Sequence, residues 1–67
     1  MKLKQLLDLF RTDEHFTLLD SASNSWLMSV TTKEYVYSRY LDWEVKLITT
    51  DMSFTNEPVI EIQIAES

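Results

Sequence analysis

Sixty-seven residues, 45% hydrophobic and 12% aromatic, make one small globular domain over residues 1–67, hiding only about 60% of the surface its unfolded form exposes. The lack of cysteine and the single histidine exclude disulfide staples, thiolate sites and multi-histidine metal centres, and the lack of glycine excludes the P-loop, the dinucleotide fingerprint and the nucleophile elbow. Eleven acidic against six basic side chains, net −5, weigh against a polyanion as partner of the surface as a whole.

Leu3, Leu6, Leu7 and Phe10 fall at i, i+3, i+4 and i+7, which predicts an amphipathic helix over residues 2–11 with Lys2, Lys4, Gln5 and Asp8 on its other side. So short a helix is marginal alone and must pack its stripe onto a platform, expected to be a sheet. From His15 the period becomes two. Phe16 and Leu18 point one way and His15, Thr17 and Leu19 the other; Trp26, Met28 and Val30 alternate with Leu27, Ser29 and Thr31 in the same manner. Joined across Ser21–Ser25, the two runs predict a β-hairpin with a loop of about five residues. Without glycine, Asn24 and Asp20 are the residues there best able to take positive φ.

Thr31 to Leu41 supports two readings. Thr31 and Glu34 have capping-box spacing, and Val36, Tyr37, Tyr40 and Leu41 then share a helical face. Tyr35-Val36-Tyr37 has the β-propensity of an edge strand instead. The helix is preferred because its cap has a mechanism. After Asp42, Trp43, Val45, Leu47 and Thr49 alternate with Glu44, Lys46 and Ile48, and at the end Ile60, Ile62 and Ile64 point inward with Glu61 and Gln63 outward. Both are strands. Their connection, Asp51 to Pro58, is long for a hairpin, rests its turns on Asp51 and Asn56, and places Pro58 where no ladder donor is required. The predicted fold is α+β: an N-terminal helix on a four-stranded, mainly antiparallel sheet, with a short helix between strands two and three.

Little of this is catalytic. His15 beside Asp13 and Glu14 is the raw form of a general base, but no serine or cysteine is tied to it by a recognisable spacing, so a surface histidine is the simpler reading. Asp42 with Glu44, and Asp51 with Glu57, could gather oxygens around a hard cation; an EF-hand cadence and its glycine are missing, and solvated strand faces explain them as well. No catalytic residue, metal or cofactor is therefore assigned, and a non-enzymatic role is expected.

The aromatics are the stronger signal. Tyr35, Tyr37, Tyr40 and Trp43 lie close together with Arg39, residue types enriched at binding hot spots. Stacking on single-stranded bases would need a basic groove, and the nearby cations are only Lys33, Arg39 and Lys46. Tyr40 and Trp43 read as core, whereas Tyr35 and Tyr37 read as its edge. Charge divides unevenly: Lys2, Lys4 and Arg11 against Asp8 make residues 1–11 the basic end, and the remainder carries three cations against ten acids. Glu44 and Glu61 are expected on one outer sheet face. With Asp42, Asp51 and Glu57 they would engage a basic protein surface, anchored by Tyr35, Tyr37 and Arg39. No apolar run approaches the roughly 20 residues that span a bilayer, so a cytoplasmic protein without a membrane partner is expected. The alternatives are self-assembly through an edge strand or exposed sheet face, and single-stranded nucleic acid binding through the tyrosines and the basic helix.

The opening Met1-Lys-Leu-Lys-Gln-Leu-Leu-Asp-Leu-Phe10, the first strand ending in Asp20, the segment Tyr40-Leu-Asp-Trp-Glu-Val45 and the finish Val59-Ile-Glu-Ile-Gln-Ile64 together resemble a family of short proteins encoded by phages and prophages of Gram-positive bacteria. The resemblance covers nearly the whole chain through fold-making residues, so it transfers no catalytic or binding position. It implies a small, acidic phage protein that binds and blocks a host protein. Anti-CRISPR inhibitors are one group the chain resembles in this way, and some of them present acidic surfaces to the nucleic-acid-binding face of their target.

Overall fold

In the computed structural model, which describes residues 1–52 and 56–66, the stripe Leu3, Leu6 and Leu7 is buried in a helix α1 (Leu3–Leu7). The helix is shorter than the 2–11 span its periodicity suggests. The next N–H groups bond one residue nearer, Leu9 to the Leu6 carbonyl at 3.0 Å and Phe10 to Leu7 at 3.0 Å, so the chain tightens into turns after one α-helical repeat. Phe10 thereby swings onto Phe16, edge to face at 5.4 Å, and Leu9 is left 75% exposed. With no glycine to cap this end, Lys33 supplies the donor: its Nζ gives hydrogen bonds to the Phe10 carbonyl at 2.7 Å and to Leu7 at 3.4 Å. At the other end the Lys2 N–H donates to Gln5 Oε1 at 2.8 Å.

The sheet comprises β1 (Phe16–Asp20), β2 (Ser25–Thr31), β3 (Glu44–Asp51) and β4 (Val59–Ala65), in the spatial order β2-β1-β4-β3. Two antiparallel hairpins, β1β2 and β3β4, lie side by side, and the pair that joins them, β1 with β4, is parallel. The sheet is thus mixed, correcting the mainly antiparallel arrangement expected from the sequence. The cause is the segment between β2 and β3. It crosses the core face from one edge of the sheet to the other, so β3 starts at the same end as β2 and β4 comes to run beside β1.

That crossing segment is neither a continuous helix nor an edge strand. It forms two 3₁₀ turns, Lys33–Tyr35 and Ser38–Tyr40, separated by extended Val36 and Tyr37. The Thr31/Glu34 capping box is not made: Thr32 precedes the first turn without a side-chain cap, and Thr31 Oγ1 donates to the Thr32 carbonyl instead. A β-branched residue followed by an aromatic one interrupts the helix, and Val36 packs against the core.

One face of the sheet, with Phe16, Leu18, Ile62 and Ile64, packs on Leu3, Leu6, Leu7 and Tyr40 to form the core. Bulges alter both edge strands. Lys46 is an extra residue between Val45, opposite Ile64, and Leu47, opposite Gln63. The expected common face of Val45, Leu47 and Thr49 is therefore split: Ile48 takes the core-side register opposite Ile62, while Leu47 and Thr49 lie on the other face with Gln63 and Glu61. In β2 two register shifts put Trp26 opposite Leu19 but Met28 opposite Leu18, on the opposite face. The four-residue connection between β1 and β2, 21–24, close to the expected five, carries Asn24 at φ 59°, as its sequence suggests; Asp20 belongs to β1, and its Oδ1 accepts from the Ala22 N–H at 3.0 Å. The centre of the Asp51–Pro58 connection, residues 53–55, lies outside the described residues. Among the described residues no helix is long and apolar enough to cross a membrane.

Candidate functional site

Spacing by three builds the most distinctive surface. In a 3₁₀ turn residues i and i+3 eclipse, so Tyr37, Tyr40 and Trp43 fall in a row: Tyr37 and Tyr40 rings lie 6.1 Å apart, and Tyr40 meets Trp43 edge to face at 5.1 Å. The backbone is held at both ends of the row. Tyr40 N–H donates to the Tyr37 carbonyl and Trp43 N–H to Tyr40, both at 3.0 Å, while α1 reaches across with Lys4 N–H to the Leu41 carbonyl at 3.0 Å and Leu3 N–H to Trp43 at 2.9 Å. Tyr40 is buried in the core and Trp43 packs partly buried against it, as their aromatic spacing suggests. Tyr35 and Tyr37 remain 72% and 57% exposed.

Arg39 completes the row. Its guanidinium carbon sits 5.3 Å from the Tyr37 ring centroid and 5.0 Å from that of Tyr40, and an Nη donates to the Tyr40 hydroxyl at 3.1 Å. An open depression beside it is lined by Tyr37, Ser38 and Arg39. The sequence signal for this arrangement is the 37, 40, 43 spacing; the helical reading puts Tyr37 and Tyr40 on one face but leaves Trp43, assigned to the following strand, out of the row.

The acidic residues assigned to the same surface are distributed differently. Asp42 pairs through Oδ1 with Lys4 Nζ at 3.2 Å, and its carbonyl accepts from Lys2 Nζ at 3.1 Å. Glu44 Oε2 accepts from the Met1 ammonium at 2.7 Å, which holds its carboxyl below the usual glutamate range, with smaller help from Lys2 and Lys46. The basic helix and the acidic start of β3 therefore neutralise each other. Their meeting is a backbone event as well, since Lys2 bridges Glu44 in antiparallel fashion and Val45 N–H donates to the Met1 carbonyl at 2.8 Å.

Glu61 does share a face with Glu44 in the β3β4 register, but it is buried and accepts from Gln63 Nε2 at 2.7 Å. Thr17 and Leu19 are also buried on that face by the central position of β1. Asp51 closes β3 opposite Val59 and is half-buried. Glu57 is exposed and joins Asp13, Glu14 and His15 around a cleft with Val30, Pro58, Val59 and Ile60. Among the described residues no serine, threonine or tyrosine lines that cleft to take a proton from or give one to the histidine. Among the described residues no group of histidine and carboxylates is arranged to hold a metal ion.

Of the predicted contact residues, then, the structure brings Tyr37 and Arg39 together, sets Tyr35 on the preceding turn, and separates Glu57 and Glu61 from them. No protein-family model, curated protein or solved structure matches the chain.

Proposed function

We propose that the chain is a non-enzymatic protein-binding module that docks through its aromatic turn, Tyr35, Tyr37 and Arg39, onto a partner with a basic surface. The observation that carries this reading is a pair of tyrosines, 72% and 57% exposed, at the end of one 3₁₀ turn and the start of the next; the Lys33 side chain ties the first turn to the end of α1, and backbone hydrogen bonds from α1 to Leu41 and Trp43 hold the chain just after the second. Rigid tyrosines offer large contact area at little cost in side-chain freedom, and tyrosine and arginine dominate binding hot spots. The charge of −5 supplies long-range attraction toward a basic partner. Asp42 and Glu44 contribute less to it than their count implies, because Lys4 and the Met1 ammonium already face them. The likeness to short phage-encoded proteins adds the form such binding would take, occlusion of a nucleic-acid-binding surface on a host protein such as a CRISPR effector.

Affinity capture from bacterial lysate, comparing the natural chain with Tyr35→Ala/Tyr37→Ala, tests this. A specific partner should be retained by the natural chain and lost by the double variant, with at least tenfold weaker affinity on the purified pair and an association rate that falls as salt rises. Equal retention by a folded double variant would refute the surface.

One observation favours a second reading, self-assembly. β3 is an edge strand with Leu47 and Ile48 each about half exposed, 50% and 49%. Its N-terminal part is shielded by the Lys2 bridge, and the Lys46 bulge disturbs the rest, devices that blunt an edge. Sedimentation at micromolar concentration separates the two readings: a strict monomer leaves the protein-binding module alone.

A further inference from the structure

Among the described residues Arg39 is the cation set against aromatic rings. Lys4 and Arg11 pair with Asp42 and Asp13, Lys2 and Lys33 donate to backbone carbonyls, and Lys46 lies close enough to Glu44 to favour its charge. Among the described residues Arg39 has no carboxylate partner, in a chain with nearly twice as many acids as bases. Chance placement on so acidic a surface favours a nearby acid; here the guanidinium carbon lies beside two tyrosine rings instead, 5.3 Å from the Tyr37 centroid and 5.0 Å from that of Tyr40.

The geometry leaves it ready for an incoming anion. A guanidinium carries five N–H donors, and the Tyr40 hydroxyl takes one of them at 3.1 Å. The donors that remain include an edge able to form two parallel bonds to a carboxylate. Tyr40, whose hydroxyl accepts from Arg39, is buried and packed in the core, and the depression lined by Tyr37, Ser38 and Arg39 gives the anion room to approach.

We infer that Arg39, set beside the rings of Tyr37 and Tyr40, is a carboxylate-recognition point that receives one aspartate or glutamate side chain of the partner protein. This inference rests on the protein-binding reading of the aromatic turn and adds a specificity rule to it. An acidic protein approaching a basic surface is attracted in many orientations. A single reversed charge fixes one of them, because the surface that matches must set one acid among its bases, and a misplaced base would face Arg39 with like charge.

The test uses the full chain and a small probe, so it does not depend on knowing the partner. NMR titration with a capped Ala-Glu-Ala peptide at constant ionic strength should give saturable, millimolar-range shifts at the Arg39 side-chain N–H and the Tyr37 ring, and the Ala-Gln-Ala peptide should give none. Arg39→Lys keeps the charge but loses the planar fork, and should weaken binding at least fivefold; Arg11→Lys should leave it unchanged. Absence of saturation, equal shifts at Arg11, or inorganic phosphate binding more than tenfold tighter than the glutamate peptide would overturn the assignment. If the peptide result fails while Tyr35→Ala/Tyr37→Ala still abolishes partner capture, the interface stands and the carboxylate point falls; the converse outcome sinks the interface and leaves the anion point.

Discussion

Asn24 shows how one residue can be read directly from the chain. A glycine-free hairpin still needs a left-handed position, asparagine tolerates it, and φ there is 59°. Asn24→Val should therefore destabilise the protein by about 1–2 kcal/mol in urea unfolding, and Asn24→Gly should cost little or nothing. Glu44 illustrates the opposite case. Its sequence marks it as a surface acid, and only the fold brings the Met1 ammonium to it. Because its folded pKa is depressed, the stability it contributes is complete above the ordinary glutamate range of about 4.3 and is lost as pH falls through the lower folded value. Glu44→Gln should thus be less stable than the natural chain at neutral pH and converge with it as pH falls below the lowered folded value, in urea titrations at low salt. Raising the salt should shrink the difference, since the pair is exposed. Arg39 belongs at this scale too: its residue type marked it as a contact, but its place beside the Tyr37 and Tyr40 rings depends on a 3₁₀ spacing that becomes visible only with the turn.

At the scale of elements, the apolar stripe of α1 was legible and its length was not. Periodicity counts Phe10 as helical because it recurs at i+7, yet Phe10 reaches the core by leaving the helix and meeting Phe16. The end of the helix is then set by Lys33, 23 residues away from the Phe10 carbonyl it caps. Lys33→Met, which keeps the apolar stem, should cost about 1 kcal/mol through the uncapped carbonyls. Leu6→Ala, which removes a buried anchor of the stripe, should cost about 2–4 kcal/mol, enough to leave much of so small a domain unfolded at 37 °C. The strands behave similarly. Each was visible as an alternation, but the bulge at Lys46 reverses the faces of Leu47 and Ile48 relative to strict alternation. A period-two reading assumes an unbroken ladder, and an inserted residue leaves no mark in composition.

For the whole molecule, the parallel pairing of β1 with β4 determines the distribution of stability. These strands are flanked on both sides and hold Phe16, Leu18, Ile62 and Ile64 with no exposed surface, while β2 and β3 form the edges. Hydrogen exchange should therefore be slowest at the amides of β1 and β4, approaching the global unfolding limit, and faster in the outer halves of β2 and β3. Faster exchange in β4 than in β3 would contradict the strand order. The sequence alone determined the α+β class, the number of strands, the apolar stripe, the positive-φ turn residue and the aromatic, arginine-bearing segment, because these follow from local periodicity and conformational preference. Tertiary structure decided the strand order, the direction of β4 beside β1, the bulged faces, and the neutralisation of the acidic start of β3 by the basic helix. Each of those depends on which distant segments meet, and that is settled by the path of residues 32–43 across the core rather than by any one stretch of chain. The charges that first weighed against a polyanion thus include an internal pairing at one corner and, among the described residues, an arginine without a carboxylate partner on an exposed aromatic turn.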